Sequence, residues 1–473
     1  MLVLYGTATV IVGAVVGTFA LLVGRRHPFL VVSTLVLLVP FRDFATRWMF
    51  VRTDLTIEQV TAVGRWWFVV IAAMLVLVSA RWVVRVRRRR ERLRLDWVDA
   101  LAGLALLIGA VQTLVSPSLP AAFTSFRGYV QPFGVYILAR ALRPGRNELR
   151  TFLMLWLLAG IIIAGLAIYQ AVAWTEQDYR EQGYVRQDGD LVVPYAWIGG
   201  EPFLRPASTV SGPNELGLDL LLMALLAVTW SLNARGFWRI PLVGFSLLFV
   251  AGMALSYSRS AALGFVVALG GLALLSAGRV MSFFRSMDTR TKLRAVLVGA
   301  GVLTAAAIIF AATGLAKYMG ETLGALPGAY HILDSSNAIG YLIRHPQGVG
   351  MGLVEPKGAL ALIESGGTYH VEGSIFQIGM EMGVWGLGAW LAFWGAALAR
   401  IYRNWHRLQI PELRVVAGSA FAGWLGSLVA FLFLPLMQSI SLMVWLWFLL
   451  GAGYQSDRFE ADWNASEQPA AVP

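Results

Sequence analysis

Runs of about 20 mainly apolar residues recur along the whole chain, and nothing else constrains its folding as strongly. An α-helix rises about 1.5 Å per residue, so roughly 17–25 such residues cross a hydrocarbon core about 30 Å thick. Inside that core every backbone N–H and C=O must bond within the protein, which leaves only helices or closed barrels. A barrel is written as short alternating segments of about ten residues, whereas the runs here are continuous. They fall near 2–23, 28–41, 64–84, 97–115, 128–142, 151–171, 213–232, 239–256, 260–278, 295–313, 374–400, 414–434 and 437–454. Those at 28–41 and 128–142 are short for a crossing and read as tilted, re-entrant or misjudged in extent. Composition agrees: 58% of residues are hydrophobic and 14% charged, against about 45–50% and about 25% in soluble domains. The expectation is an all-α, polytopic transmembrane helical bundle of about 12–13 helices, forming a single membrane domain over residues 1–455.

Charge gives this bundle a direction. The first run, Leu2 to Val23, has neither a basic n-region nor a small-residue cleavage site, and reads as a retained helix. With the N-terminus outside, the inner face receives Arg25–Arg26, Arg85 to Arg94, Arg143 to Arg150, Arg235 to Arg239, Arg279 to Arg294, Arg400 to Arg414 and Arg458. That places Lys and Arg inside by roughly two to one, as the positive-inside rule requires. The net charge of +11 therefore points to membrane lipids and not to nucleic acid. The basic run VVRVRRRRERLRLDW (Val83 to Trp97) sits beside a membrane span, where it stops translocation and attracts anionic headgroups. The polar, mildly acidic end, 456–473, reads as a disordered cytoplasmic tail. There is no cysteine, so disulfides and thiolate metal sites are excluded.

Two long outer loops follow from the same topology, 172–212 and 315–373, the second lying before the third-last helix. Loops beyond about 12–15 residues usually work or are disordered. The second is rich in Gly and aromatic residues and holds His331, His345 and His370, three of the five histidines. Three stretches carry candidate chemistry. In SYSRSA (Ser256 to Ala261) Arg259 stands between two apolar runs with almost no loop; it either snorkels to headgroups or holds an anion. In FLRPASTVSGPNELGLDL (Phe203 to Leu220) Pro213 suits a first helical turn, with Ser211 or Gly212 as cap. Arg205 lies just upstream, and Asn214, Glu215 and Asp219 enter the membrane on that helix. The stretch is either a capped helix start or an anion site. The third is IRHPQGVGMG (Ile343 to Gly352) with SGGTYHVEGSIFQIGMEMGVWG (Ser365 to Gly386): a tight turn, then His370 and Glu372 before a long apolar helix. These two are a polar cap or a general base. No HExxH or P-loop signature is present, and Asp43, Asp54 and Glu58 in the first outer loop are scattered.

Taken in order, RPASTVSGPNELG, SYSRSA and HPQGVGMG with VEGSIFQIGMEMGVWG resemble the O-antigen ligase/polymerase superfamily of bacterial inner-membrane proteins, over about residues 120–450. The resemblance implies a metal- and cofactor-independent glycosyltransferase. It moves a saccharide from an undecaprenyl-diphosphate-linked donor to a glycan or lipid acceptor hydroxyl, with its site on the periplasmic or extracellular side. It further implies that Arg205, Arg259 and Arg344 hold the diphosphate, supported by Asn214, Glu215 and Arg127, and that His370 or Glu372 takes the acceptor proton. Ligases of this family show His-Asn directly before the helix after the loop; here the aligned pair is Glu372-Gly373, with His370 two positions earlier. Either Glu372 is the base, or His370 has shifted register, or the chain is a polymerase-type relative, the reading we prefer. The competing class is a transporter or flippase for a lipid-linked or polyanionic substrate. It fits less well, because the two halves show no repeat and the polar residues gather at one face instead of the midplane.

Overall fold

The computed structural model describes residues 28–52, 96–184, 191, 195–198, 201–286, 337–354, 371 and 373–467. Every apolar run within them is helical over most of its length. In chain order the helices are α1 Pro28–Leu38, α2 Arg42–Arg52, α3 Trp97–Leu114, α4 Leu119–Ala141, α5 Arg146–Ala173 and the short α6 Glu176–Glu181. After a hairpin of β1 Tyr195–Ile198 and β2 Glu201–Leu204 come α7 Pro213–Asn233, α8 Arg239–Leu255 and α9 Arg259–Ser286. A helix described over 337–344 is α10, followed by α11 Ser374–Arg407, α12 Pro411–Phe431, α13 Ile440–Tyr454 and α14 Ser456–Glu467. Seven of these are long and apolar enough to cross a membrane: α3, α5, α7, α8 with its preceding turn, α9, α11 and α12. The chain is an all-α, multi-pass membrane protein. The runs at 2–23, 64–84 and 295–313, and the Arg85 to Arg94 cluster, lie outside the described residues.

The run that looked short at 128–142 is the second half of α4, a helix of 23 residues that carries Pro132 inside it. Its first half is broken by Ser, Thr, Arg and Gln and so carries no apolar signal. Between helices the packing is of two kinds. Small residues let backbones approach, as where Gly264 of α9 meets Gly426 of α12: a Cβ on Gly426 would lie 2.6 Å from the Gly264 carbonyl oxygen. Lipid tails give helices no hydrophobic reason to associate, so such close contact supplies much of the adhesion. Elsewhere large rings fill the interior. Trp390, Trp394, Trp424 and Trp447 are fully buried in one chain of ring contacts, with centroids 5.3–5.7 Å apart.

One end of the bundle is tied by charged groups. Asp96 caps α3 by accepting from Val98 N (3.1 Å) and Asp99 N (3.3 Å), and it also takes Arg400 Nη1 at 2.8 Å and the Tyr454 hydroxyl at 2.5 Å. Asp99 pairs with Arg140. Four helix ends, those of α3, α4, α11 and α13, are thereby joined. The expected disordered tail is corrected here: residues 456–467 form α14. Phe459 and Trp463, one turn apart, are buried against the bundle, and Trp463 Nε1 donates to Pro144 O at 2.8 Å. Glu460 accepts from Gln409 N (2.6 Å) and Ile410 N (2.8 Å), closing the start of α12. A polar average hid an amphipathic face, because only two large apolar residues at i and i+4 are needed to dock so short a helix.

Candidate functional site

At the opposite end, the segment from Arg205 to Val210 is buried throughout. Ser208 adopts a left-handed backbone (φ 49°) and is held from three sides. Its N–H donates to Gln170 Oε1 (2.7 Å), its hydroxyl to Ile163 O (2.7 Å), and its carbonyl accepts from the Tyr184 hydroxyl. From α2, Phe44 N donates to Thr209 O (3.1 Å), while the Arg47 guanidinium donates to Val210 O and lies 4.1 Å over the Tyr184 ring. Burial pushes the Tyr179 and Tyr184 phenols up, and a hydrogen bond from Tyr195 (2.6 Å) lowers Glu176 from its ordinary value. Part of the 172–212 loop is therefore built structure that positions Arg205.

Arg205 reaches across 51 residues of sequence: its Nε donates to Ser256 O at 2.9 Å, and its Nη2 to Asn214 Oδ1 at 2.8 Å. The first bond lands on the SYSRSA turn, the second on the first turn of α7. That turn is tight. Tyr257 has φ 50°, Ser256 Oγ donates to Met253 O (2.6 Å), and Ser258 Oγ accepts from Ala261 N (3.4 Å) to start α9. Gly217 lets α7 lie directly on it, since a Cβ there would come within 2.8 Å of Ser258 Cβ and 2.9 Å of Ser256 Oγ. The N-termini of α7 and α9 thus meet. Pro213 occupies the first turn of α7 with Gly212 as N-cap, as the sequence suggests, and that cap makes no side-chain bond. Ser211 bonds Glu215 instead, its N–H donating at 3.1 Å. Arg259 is the half-buried first residue of α9, a helix with no acidic residue in its first turn. A cation at that position opposes the helix dipole; an anion bound there reverses the penalty. Asp219, one turn beyond Glu215, has no exposed surface, and neither of its carboxylate oxygens is hydrogen-bonded among the described residues.

The HPQGVGMG turn is built onto a different group of helices. It forms a strap that fills a break in α11, where Gly383 has φ 73°. Val349 N donates to Met380 O (2.7 Å), and Val384 N donates to Pro346 O (2.9 Å), replacing the helical bonds lost at the break. Non-helical backbone at membrane depth is tolerated only when protein covers it in this way. The strap is pinned further by Gln112 Nε2 to Gln347 O (2.7 Å) and by Ser116 Oγ to Met351 O (2.8 Å). Its end is held by Glu381, a residue that sequence reasoning passed over. This fully buried carboxylate accepts from Ser125 Oγ (2.7 Å), Tyr129 OH (2.8 Å) and Gly352 N (3.1 Å). An acidic residue between Met380 and Met382, inside an otherwise apolar run, was the signal that marked it.

The structure therefore unites Arg205, Asn214, Glu215 and the Arg259 turn. Arg127, exposed on α4, and Arg344, exposed at the end of α10 with its Nε on Gly340 O (3.1 Å), stand with the strap. His345 is exposed beside Tyr341, ring to ring at 4.4 Å. His331, His370 and Glu372 lie outside the described residues. Among the described residues no group of three or more His, Asp or Glu side chains is placed to hold a metal ion. The fold and this site define a multi-pass helical membrane protein with a cluster of charged and polar side chains at one end of its bundle. The chain matches no family model and no curated protein.

Proposed function

We propose that this protein is a membrane glycan polymerase or ligase of the O-antigen ligase/polymerase type. It transfers a saccharide from an undecaprenyl-diphosphate-linked donor to an acceptor hydroxyl at the outer face of the bacterial inner membrane, in surface polysaccharide assembly. The observation that carries this reading is the meeting of two helix N-termini and two arginines, Arg205 and Arg259, drawn together by the bond from Arg205 to the Ser256 carbonyl. A sugar diphosphate leaves as an anion when the acceptor oxygen attacks the anomeric carbon and the C–O bond to phosphate breaks. Guanidinium forks and free helix N–H groups are the donors that stabilise such a charge. In this reading His370 or Glu372 takes the acceptor proton, Arg344 and Arg127 assist, and neither metal nor cofactor takes part. The polymerase form is preferred because Glu372-Gly373 replaces the His-Asn pair of ligases.

The test is polymer formation in cells expressing Arg205→Ala or Arg259→Ala. Both variants are expected to abolish polymer while accumulating in the membrane at normal levels. Polymer of normal length and yield from both would overturn the proposal.

A further inference from the structure

At the end of the bundle that carries Asp96, Arg140 and Arg400, far along the chain from the site above, α5, α7, α8 and the start of α12 enclose a cleft of about 400 Å³. Its walls are apolar: Leu157, Leu158 and Ile161 from α5 face Leu242 and Phe245 from α8. The cleft is open on the side where Met154 and Leu158 are 43% and 51% exposed, surfaces that meet hydrocarbon in a membrane. Its mouth has the opposite chemistry. Arg150 and Arg235 both line it, both are exposed, and neither has a hydrogen-bond or ion-pair partner among the described residues. The one carboxylate in the lining, Glu412, is already matched by Arg146 at 3.4 Å. Trp230 and Trp238 complete the rim, the residue type that settles at the headgroup level of a bilayer.

An apolar slot open to the hydrocarbon, capped by two unmatched guanidinium groups at the headgroup level, is complementary to one kind of molecule. We propose that this cleft binds a single anionic phospholipid, its acyl chain along Leu157, Leu158, Ile161 and Phe245 and its phosphate between Arg150 and Arg235. Charge complementarity selects the occupant. A zwitterionic lipid offers the arginines no net charge, and a soluble phosphate offers nothing to the apolar walls. Basic pockets between transmembrane helices hold acidic headgroups for the same reason. The inference does not depend on the glycosyl-transfer reading, and its test does not use that activity.

The full-length protein in detergent is titrated with dioleoyl phosphatidylglycerol or dioleoyl phosphatidylcholine, and bound lipid is counted by native mass spectrometry. One saturable site is expected, with phosphatidylglycerol bound about tenfold or more tightly, the scale set by about 1 kcal/mol per basic residue. Arg150→Gln/Arg235→Gln should lose that preference. Arg403→Gln/Arg407→Gln, which removes the same charge from exposed positions outside the cleft, should keep it. The wild-type comparison decides alone if the first double variant fails to fold. Equal affinity for the two lipids, an equal loss in both double variants, or a dimer that seals the cleft would overturn the proposal.

Discussion

Arg259 and Arg205 do different work although both belong to one cluster. Arg205 is buried and spends Nε and Nη2 on Ser256 O and Asn214 Oδ1, so its replacement removes scaffold bonds as well as charge. Arg259 is half-buried at a helix start, where its charge lies at the positive end of the helix dipole. Arg259→Lys is therefore expected to retain a fraction of transfer activity, and Arg259→Ala to lose about 100-fold or more, the scale of removing one donor from a developing anion. Initial rates on purified variants check this. Glu381 is a residue of another kind. Glu381→Leu strands the donors of Ser125, Tyr129 and Gly352, at about 1–3 kcal/mol for each unsatisfied group. A clear drop in melting temperature is expected, with Glu381→Gln falling less. A melting temperature unchanged in Glu381→Leu would remove its role as the strap's anchor. At this scale the sequence was half legible. Arginines at helix starts stand out in an apolar chain, whereas the partners that orient them, Gln170, Tyr184 and Ser208, are ordinary polar residues whose roles exist only after folding.

Elements were easier to read than their joints. Continuous apolar runs declare helices because lipid permits little else, and α7, α8, α9 and α12 begin within a few residues of their expected positions. The failures have physical causes. The first half of α4 faces polar neighbours such as Glu381, so it carries polar residues and lost its helical signal. The docking of α14 depends on two side chains in a polar stretch. The break in α11 is invisible because Gly383 is one of several glycines there, and only its contact with the 346–349 strap singles it out. A side chain at Gly383 meets φ 73° and Pro346 O together. Gly383→Val is accordingly expected to prevent accumulation of folded protein, as judged by a monodisperse peak on size exclusion. For α14, Trp463→Ala should free the helix without unfolding the bundle, read as new protease cleavage after residue 455. Cleavage no faster than in the wild type would mean that the helix docks by other contacts.

For the whole molecule, the described helices alternate so that one end gathers Asp96, Arg140, Arg400 and the lipid cleft while the other gathers Arg205, Arg259 and the strap. In the orientation we propose from the charge bias, the first end faces the cytoplasm. The absence of native cysteine makes that assignment simple to check. A single cysteine at Tyr195 is expected to react with an impermeant maleimide added to intact spheroplasts, and one at Arg403 only after permeabilisation. The reverse pattern would place the arginine cluster on the cytoplasmic side, away from an externally displayed donor. The all-α, multi-pass character was legible at this scale, and the apolar runs inside the described residues are helices in the expected order. How the two groups of helices at the arginine-bearing end sit beside each other was not, because a bundle's lateral arrangement depends on packing that no hydrophobic run encodes.

Donor turnover by the purified protein tests the central claim most directly. In detergent, with an undecaprenyl-diphosphate-linked saccharide and no membrane gradient, the wild type is expected to release undecaprenyl diphosphate in step with glycan transfer, and folded Arg259→Ala to release about 100-fold less. Release at the wild-type rate from Arg259→Ala, or no release by the wild type while a gradient-driven vesicle assay shows movement of the intact donor, would contradict it.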